Sequence, residues 1–139
     1  PVAMDGQHKF FRLKISSSYI SDPHLQFMSA NSLGKDDVVV AISQSGTTAA
    51  LIESIKIVRK NGAKVIGIMP GDTPLANICD FPLTINVGSN NRISKPVTSR
   101  IAYTAVIDVL TMGVAQLKPE AQDHLYNIAD SQRSLKVDN

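Results

Sequence analysis

Residues 38–42, Val-Val-Val-Ala-Ile, form an unbroken apolar run, and residues 65–68, Val-Ile-Gly-Ile, form a near-continuous one after an intervening stretch of different period, within a strand read from Lys64. Continuous rather than alternating apolar character marks strands covered on both faces, as in a parallel sheet. Between the two runs Leu51, Ile55 and Val58 recur at helical spacing with Ile52 beside them, which predicts a helix over about residues 47–61. Lys56, Arg59 and Lys60 near its end complement the helix dipole, and Gly62 closes it. Strand, helix and strand in this order give a parallel pair joined by a crossover. The fold class that follows is α/β, a three-layer αβα sandwich with a mainly parallel sheet.

The rest of the chain continues the alternation. Val2, Phe10, Phe11 and Leu13 give residues 2–13 an apolar helical side, with Gly6 weakening it. Residues 14–20 read as a strand by β-propensity. Asp22 is the N-cap and Pro23 the first residue of a helix that carries Leu25, Phe27, Met28 and Leu33 and stops at Gly34. Residues 70–72 make a turn, Thr73-Pro74 starts a short helix through Cys79, and a further strand spans 81–87. A long helix over 97–117 is apolar on most sides, fit for a core, a subunit interface or both. A last helix runs from Pro119 to about residue 132, before a tail over 133–139 that frays. Residues 1–132 are expected to be one domain, with no internal repeat.

The bulk properties narrow the function classes. With 139 residues, 43% hydrophobic and 19% charged, the chain suits a single packed core and not a disordered segment. A net charge of +2 is too small to argue for nucleic-acid binding by electrostatics. The lone Cys79 excludes an internal disulfide framework and fits a reducing cytoplasm. His8, His24 and His124 lack metal-ligand spacing, and no cofactor is implied. No uninterrupted apolar run reaches bilayer-spanning length, so no membrane partner is expected. The opening Pro1-Val2-Ala3-Met4 has no initiator methionine, which reads as a piece of a longer protein.

The first apolar strand runs directly into Ser43-Gln44-Ser45-Gly46-Thr47-Thr48 and then into a helix. A helix N-terminus offers free N–H groups and partial positive charge, which suits a phosphate. Hydroxyls add neutral hydrogen bonds that rotate to fit an oxyanion, and Gly46 permits close approach of the backbone. No lysine lies in the loop, so it is not a nucleotide P-loop. The plainer reading is that Ser43, Ser45 and Thr48 only cap the following helix. Four hydroxyls within residues 43–48 exceed what a cap needs. A nucleophilic serine is disfavoured, because the leading glycine of Gly-x-Ser-x-Gly is missing and no histidine is placed nearby by sequence.

Residues 22–26 (Asp-Pro-His-Leu-Gln), 37–48, 61–68 and Thr73-Pro74-Leu75-Ala76 with Asp80 resemble the sugar isomerase (SIS) domain. Residues 22–26, with Thr98-Ser99-Arg100-Ile101 opening the late helix, resemble the version in RpiR-type transcriptional regulators. The resemblance implies a flavodoxin-like sheet and a sugar phosphate held at Ser43, Ser45 and Thr48 and the backbone around Gln44 and Gly46, with Thr47, Ser89 and Ser99 as weaker candidates. It also implies a bacterial sensor that acts as a homo-dimer or tetramer and reaches DNA only through a separate helix-turn-helix domain. The first strand and turn of the family are missing here, and in the family sheet that strand is central. An incomplete pocket and unpaired ladder groups are therefore expected.

The rival is an aldose–ketose isomerase, which needs a positioned acid/base. Isomerising SIS domains, such as that of glucosamine-6-phosphate synthase, carry a glutamate leading into the late helix. Residues 90–96 here contain no carboxylate, so no catalytic residue is assigned. Arg92, Lys95 and Arg100 are either solvated surface charges or phosphate neighbours, and His24 either caps and solvates or faces the ligand mouth.

Overall fold

A computed structural model describes residues 1–88 and 95–135, without the side chains of Lys95, Pro96 and Ser134. The elements in chain order are α1 Val2–Arg12, α2 Pro23–Ser32, β1 Val38–Ile42, α3 Ala49–Lys60, β2 Lys64–Met69, α4 Pro74–Ile78, β3 Phe81–Thr84, α5 Lys95–Leu117 and α6 Pro119–Ser134. The chain divides into two compact units, residues 20–103 and residues 1–19 with 104–139.

The unit of residues 20–103 is built on a parallel sheet of order β1-β2-β3. Val38 pairs with Lys64 and Ile42 with Ile68; on the other side Ile66 pairs with Phe81 and Met69 with Thr84. The α/β class with a parallel sheet is therefore as the apolar runs require. β2 is covered over most of its length, with Val65, Ile68 and Met69 fully buried. β1 departs from expectation. Its apolar run is not covered on both faces, and Val38 is 61% exposed. The reason is position, since β1 lies at the edge of the described sheet.

The core of this unit gathers Ala41, Val65 and Met69 from the sheet, Ile55 and Val58 from α3, Leu75 from α4 and Ala30 from α2. Asp22 caps α2, its carboxylate accepting from the Leu25 N–H at 2.9 Å, and Pro23 follows as the first helical residue. Gly67 lets the end of α4 come close: a Cβ there would lie 2.5 Å from Cys79 Sγ.

The other unit contains α1 and α6, and the segment expected as a strand over 14–20 is irregular there up to Tyr19. Its polar groups return to α1 instead of joining a ladder. Ile15 N–H donates to Phe10 O, Lys14 turns into the left-handed region at φ 58°, and Ser17 Oγ donates to Gln7 O while Gln7 Nε2 donates to Ser17 O. A strand exists only against a neighbour, and propensity does not supply one. Leu13, Ile107 and Ala121 are buried in this unit, and Lys9 pairs with Asp5 and Asp108.

Other boundaries moved slightly. β3 ends at Thr84 and not residue 87, and α6 continues through Ser134. Val97–Leu117 of α5 has 21 residues and is apolar enough by composition to cross a membrane, which counting uninterrupted runs overlooked. It carries Arg100 and Asp108, costly groups inside a bilayer, and Tyr103, Ile107 and Thr111 along it are buried in protein.

Candidate functional site

The carboxyl end of β1 delivers the chain into residues 43–48, all within the unit of residues 20–103. In open parallel sheets the carboxyl ends of the strands carry the ligand crevice. Ser43 continues the β1–β2 ladder by donating its N–H to Ile68 O at 3.0 Å. Its side chain, only 6% exposed, then folds over the turn: Ser43 Oγ accepts from the Gly46 N–H at 3.0 Å and lies 3.4 Å from Thr48 Oγ1. Gly46 adopts φ +66°, a conformation that non-glycine residues rarely hold. A Cβ on Gly46 would also lie 2.5 Å from Thr73 Cβ, so both the dihedral and the space require glycine.

The hydroxyls divide into two sets. Ser43 is buried and shapes the turn, whereas Gln44, Ser45, Thr47 and Thr48 are exposed. Ser45 Oγ accepts from the Thr47 N–H at 3.2 Å and from Thr47 Oγ1 at 3.0 Å. Thr48 is the N-cap residue of α3 yet makes no side-chain capping bond. The contrast with α2 and α4 is direct, because Asp22 and Thr73 do cap those helices with side-chain oxygens. The first turn of α3 therefore keeps its N–H groups without a side-chain cap, beside exposed hydroxyls and under a helix dipole. Capping alone does not account for Thr48.

Residues that were not candidates for the site on sequence hold the loop in place. Gly46 O accepts from the Leu75 N–H at 3.1 Å, tying the loop to the start of α4. Thr73, packed on Gly46, donates to Pro70 O at 3.0 Å and caps α4 by accepting from the Ala76 N–H at 3.3 Å. Tyr103 on α5, 3% exposed, donates its hydroxyl to Ser43 O at 3.3 Å. Burial raises the Tyr103 pKa, so its hydroxyl stays protonated and able to donate at neutral pH. Asp72, exposed and at φ +53°, is a carboxylate one residue before Thr73. Thr73 was legible as a cap; its packing on Gly46, 27 positions away, carried no local signal.

Of the other sequence candidates, Ser99 is buried at 4% exposure in the first turns of α5. Arg100 is exposed and already has an interaction partner. His24 is exposed in the first turn of α2. Ser89 and Arg92 lie outside the described residues, as does the side chain of Lys95. Among the described residues no group of three His, Cys, Asp or Glu is arranged to hold a metal ion.

The sequence model of the SIS domain matches residues 1–113. The chain belongs to the SIS domain family. As an SIS domain it is 38% identical over 131 residues to the HTH-type transcriptional regulator HexR of Pseudomonas aeruginosa, covering 94% of this chain and 46% of that protein. It is 35% identical over 138 residues to HexR of Escherichia coli, covering 99% of this chain and 48% of that protein. The chain thus spans about half the length of the curated regulators it matches. Among solved structures, the Vibrio vulnificus NanR protein complexed with ManNAc-6P superposes with a TM-score of 0.86 at 21% identity, over 99% of this chain and 52% of that one. That likeness establishes the SIS fold.

Proposed function

We propose that this SIS domain is the effector-sensing part of a bacterial RpiR-type transcriptional regulator and binds a sugar phosphate at residues 43–48. The phosphate accepts from Ser45 and Thr48 hydroxyls, with Thr47 beside them, and from the Gln44 N–H and the first turn of α3, while the Gly46 N–H is held by Ser43 Oγ and keeps the backbone turned toward the ligand. Ser43 shapes the turn from within. The observation that carries this reading is the start of α3, where Thr48 makes no side-chain cap next to exposed hydroxyls, whereas Asp22 and Thr73 cap α2 and α4 within the same unit. Its regulator relatives support the same reading. Residues 1–132 act as one phosphosugar-binding domain, and DNA is reached through a separate helix-turn-helix domain. Ile101, Val109, Met112 and Leu117, apolar and exposed along α5, support assembly as a homo-dimer or tetramer. Ligand occupancy shifts the balance between two arrangements of that assembly by its differential affinity for them. A cytoplasmic location follows from that role.

The rival is an aldose–ketose isomerase, and Asp72 is the carboxylate that favours it. Calorimetry of the full-length protein against hexose and pentose phosphates, with the unphosphorylated sugars as controls and an assay for turnover, separates the two. Binding of a phosphorylated sugar without conversion is expected. Conversion establishes the isomerase instead, and a flat response across the panel overturns the phosphate site.

A further inference from the structure

Among the described residues, three tethers from other elements hold the loop of residues 43–48: Ser43 N–H to Ile68 O on β2, Gly46 O to the Leu75 N–H on α4, and Ser43 O to the Tyr103 hydroxyl on α5. The first two join backbone to backbone and survive any substitution that keeps the fold. The third depends on one side-chain oxygen, reaching across 60 residues of sequence. Peptide units are planar, and no cis bond occurs among the described residues. In a trans unit the carbonyl and the following N–H point in opposite directions. Anchoring the Ser43 carbonyl on buried Tyr103 therefore turns the Gln44 N–H the other way, away from Tyr103.

We infer that Tyr103 is a positioning residue for the anion loop, acting through the Ser43–Gln44 peptide to aim the Gln44 N–H at the ligand. This rests on the phosphate reading of the loop. Packing alone does not account for Tyr103, because phenylalanine fills the same apolar space without a hydroxyl to satisfy. Removing the hydroxyl leaves the Ser43 carbonyl without its tyrosine donor in a buried place and frees the peptide to rotate.

The test is a titration of isotope-labelled full-length protein with inorganic phosphate, followed through the backbone amide resonances of residues 44–49. In the unmodified protein the Gln44 amide and those of the first turn of α3 are expected to shift as phosphate is added. If they do not, the phosphate reading fails and the inference fails with it. In Tyr103→Phe the free-state Gln44 amide is expected to move and phosphate to bind about five- to tenfold more weakly, the scale of one buried hydrogen bond. Binding within twofold of the unmodified protein, with the Gln44 amide unmoved, overturns the role of Tyr103 while leaving the phosphate site standing. A second pair guards against a folding defect: Tyr103→Gln keeps a donor and Tyr103→Met does not. Tighter phosphate binding by the glutamine variant, at equal thermal midpoints, supports the inference, and equal binding by the two overturns it.

Discussion

The two ends of the parallel sheet use opposite chemistry. At the amino end, full charges are spent on the protein itself. Asp80 Oδ2 accepts from the Val65 N–H at 2.9 Å, with Arg59 and Lys64 at 3.8 and 3.9 Å from its other oxygen. Asp37, just before β1, accepts from the Gly34 N–H at 2.8 Å. At the carboxyl end, residues 43–48 present neutral hydroxyls and amides on a turn braced from β2, α4 and α5. The difference teaches that formal charge does not mark the end of this sheet proposed to bind phosphate. Aspartates that close turns have their partners already, while a helix start without a side-chain cap still has donors to give.

Substitutions at the two ends are expected to part stability from binding. The largest effect belongs to Gly46→Ala. The left-handed conformation costs alanine about 1–2 kcal/mol, and the new methyl collides with Thr73. Affinity for a phosphorylated sugar should fall more than about tenfold, and the thermal midpoint should drop by several degrees, on the order of 2–8 °C. Calorimetry and thermal unfolding measure the two, and unchanged affinity would break the contrast. Next comes Asp80→Ala, which takes the side-chain acceptor from the Val65 N–H in a fully buried residue. A loss of about 1–3 kcal/mol in denaturant unfolding is expected, with sugar-phosphate affinity unchanged; a parallel loss of affinity would show that the ends are coupled. The smallest is Lys64→Met. Its ion pair is long and its side chain is 62% exposed, so a stability change below about 0.5 kcal/mol is expected. A larger loss in the same unfolding assay would mean that charge at the amino end matters more than its geometry indicates.

Much of the fold was legible because its causes are local. The runs at 38–42 and 65–68 fall on β1 and β2, and Leu51, Ile55 and Val58 mark α3 by spacing alone. Asp22 and Thr73 announced α2 and α4, since a cap and a following proline need only their own turn. Residues 14–20 misled for the same reason: β-propensity is local but pairing is not, and Gln7 and Phe10 took the bonds that a neighbouring strand would have taken. The exposure of Val38 was hidden too, because an apolar run reads alike at the edge and at the centre of a sheet.

What the residues settled unaided is a strand that passes through a short hydroxyl-rich turn into a helix, since backbone preference and side-chain type act within a few positions. Only the tertiary structure decided how that turn is held. Its braces, Thr73, Leu75 and Tyr103, come from distant parts of the chain. A hydrogen bond spanning 60 residues has no local signature, because it exists only once packing has brought donor and acceptor within reach.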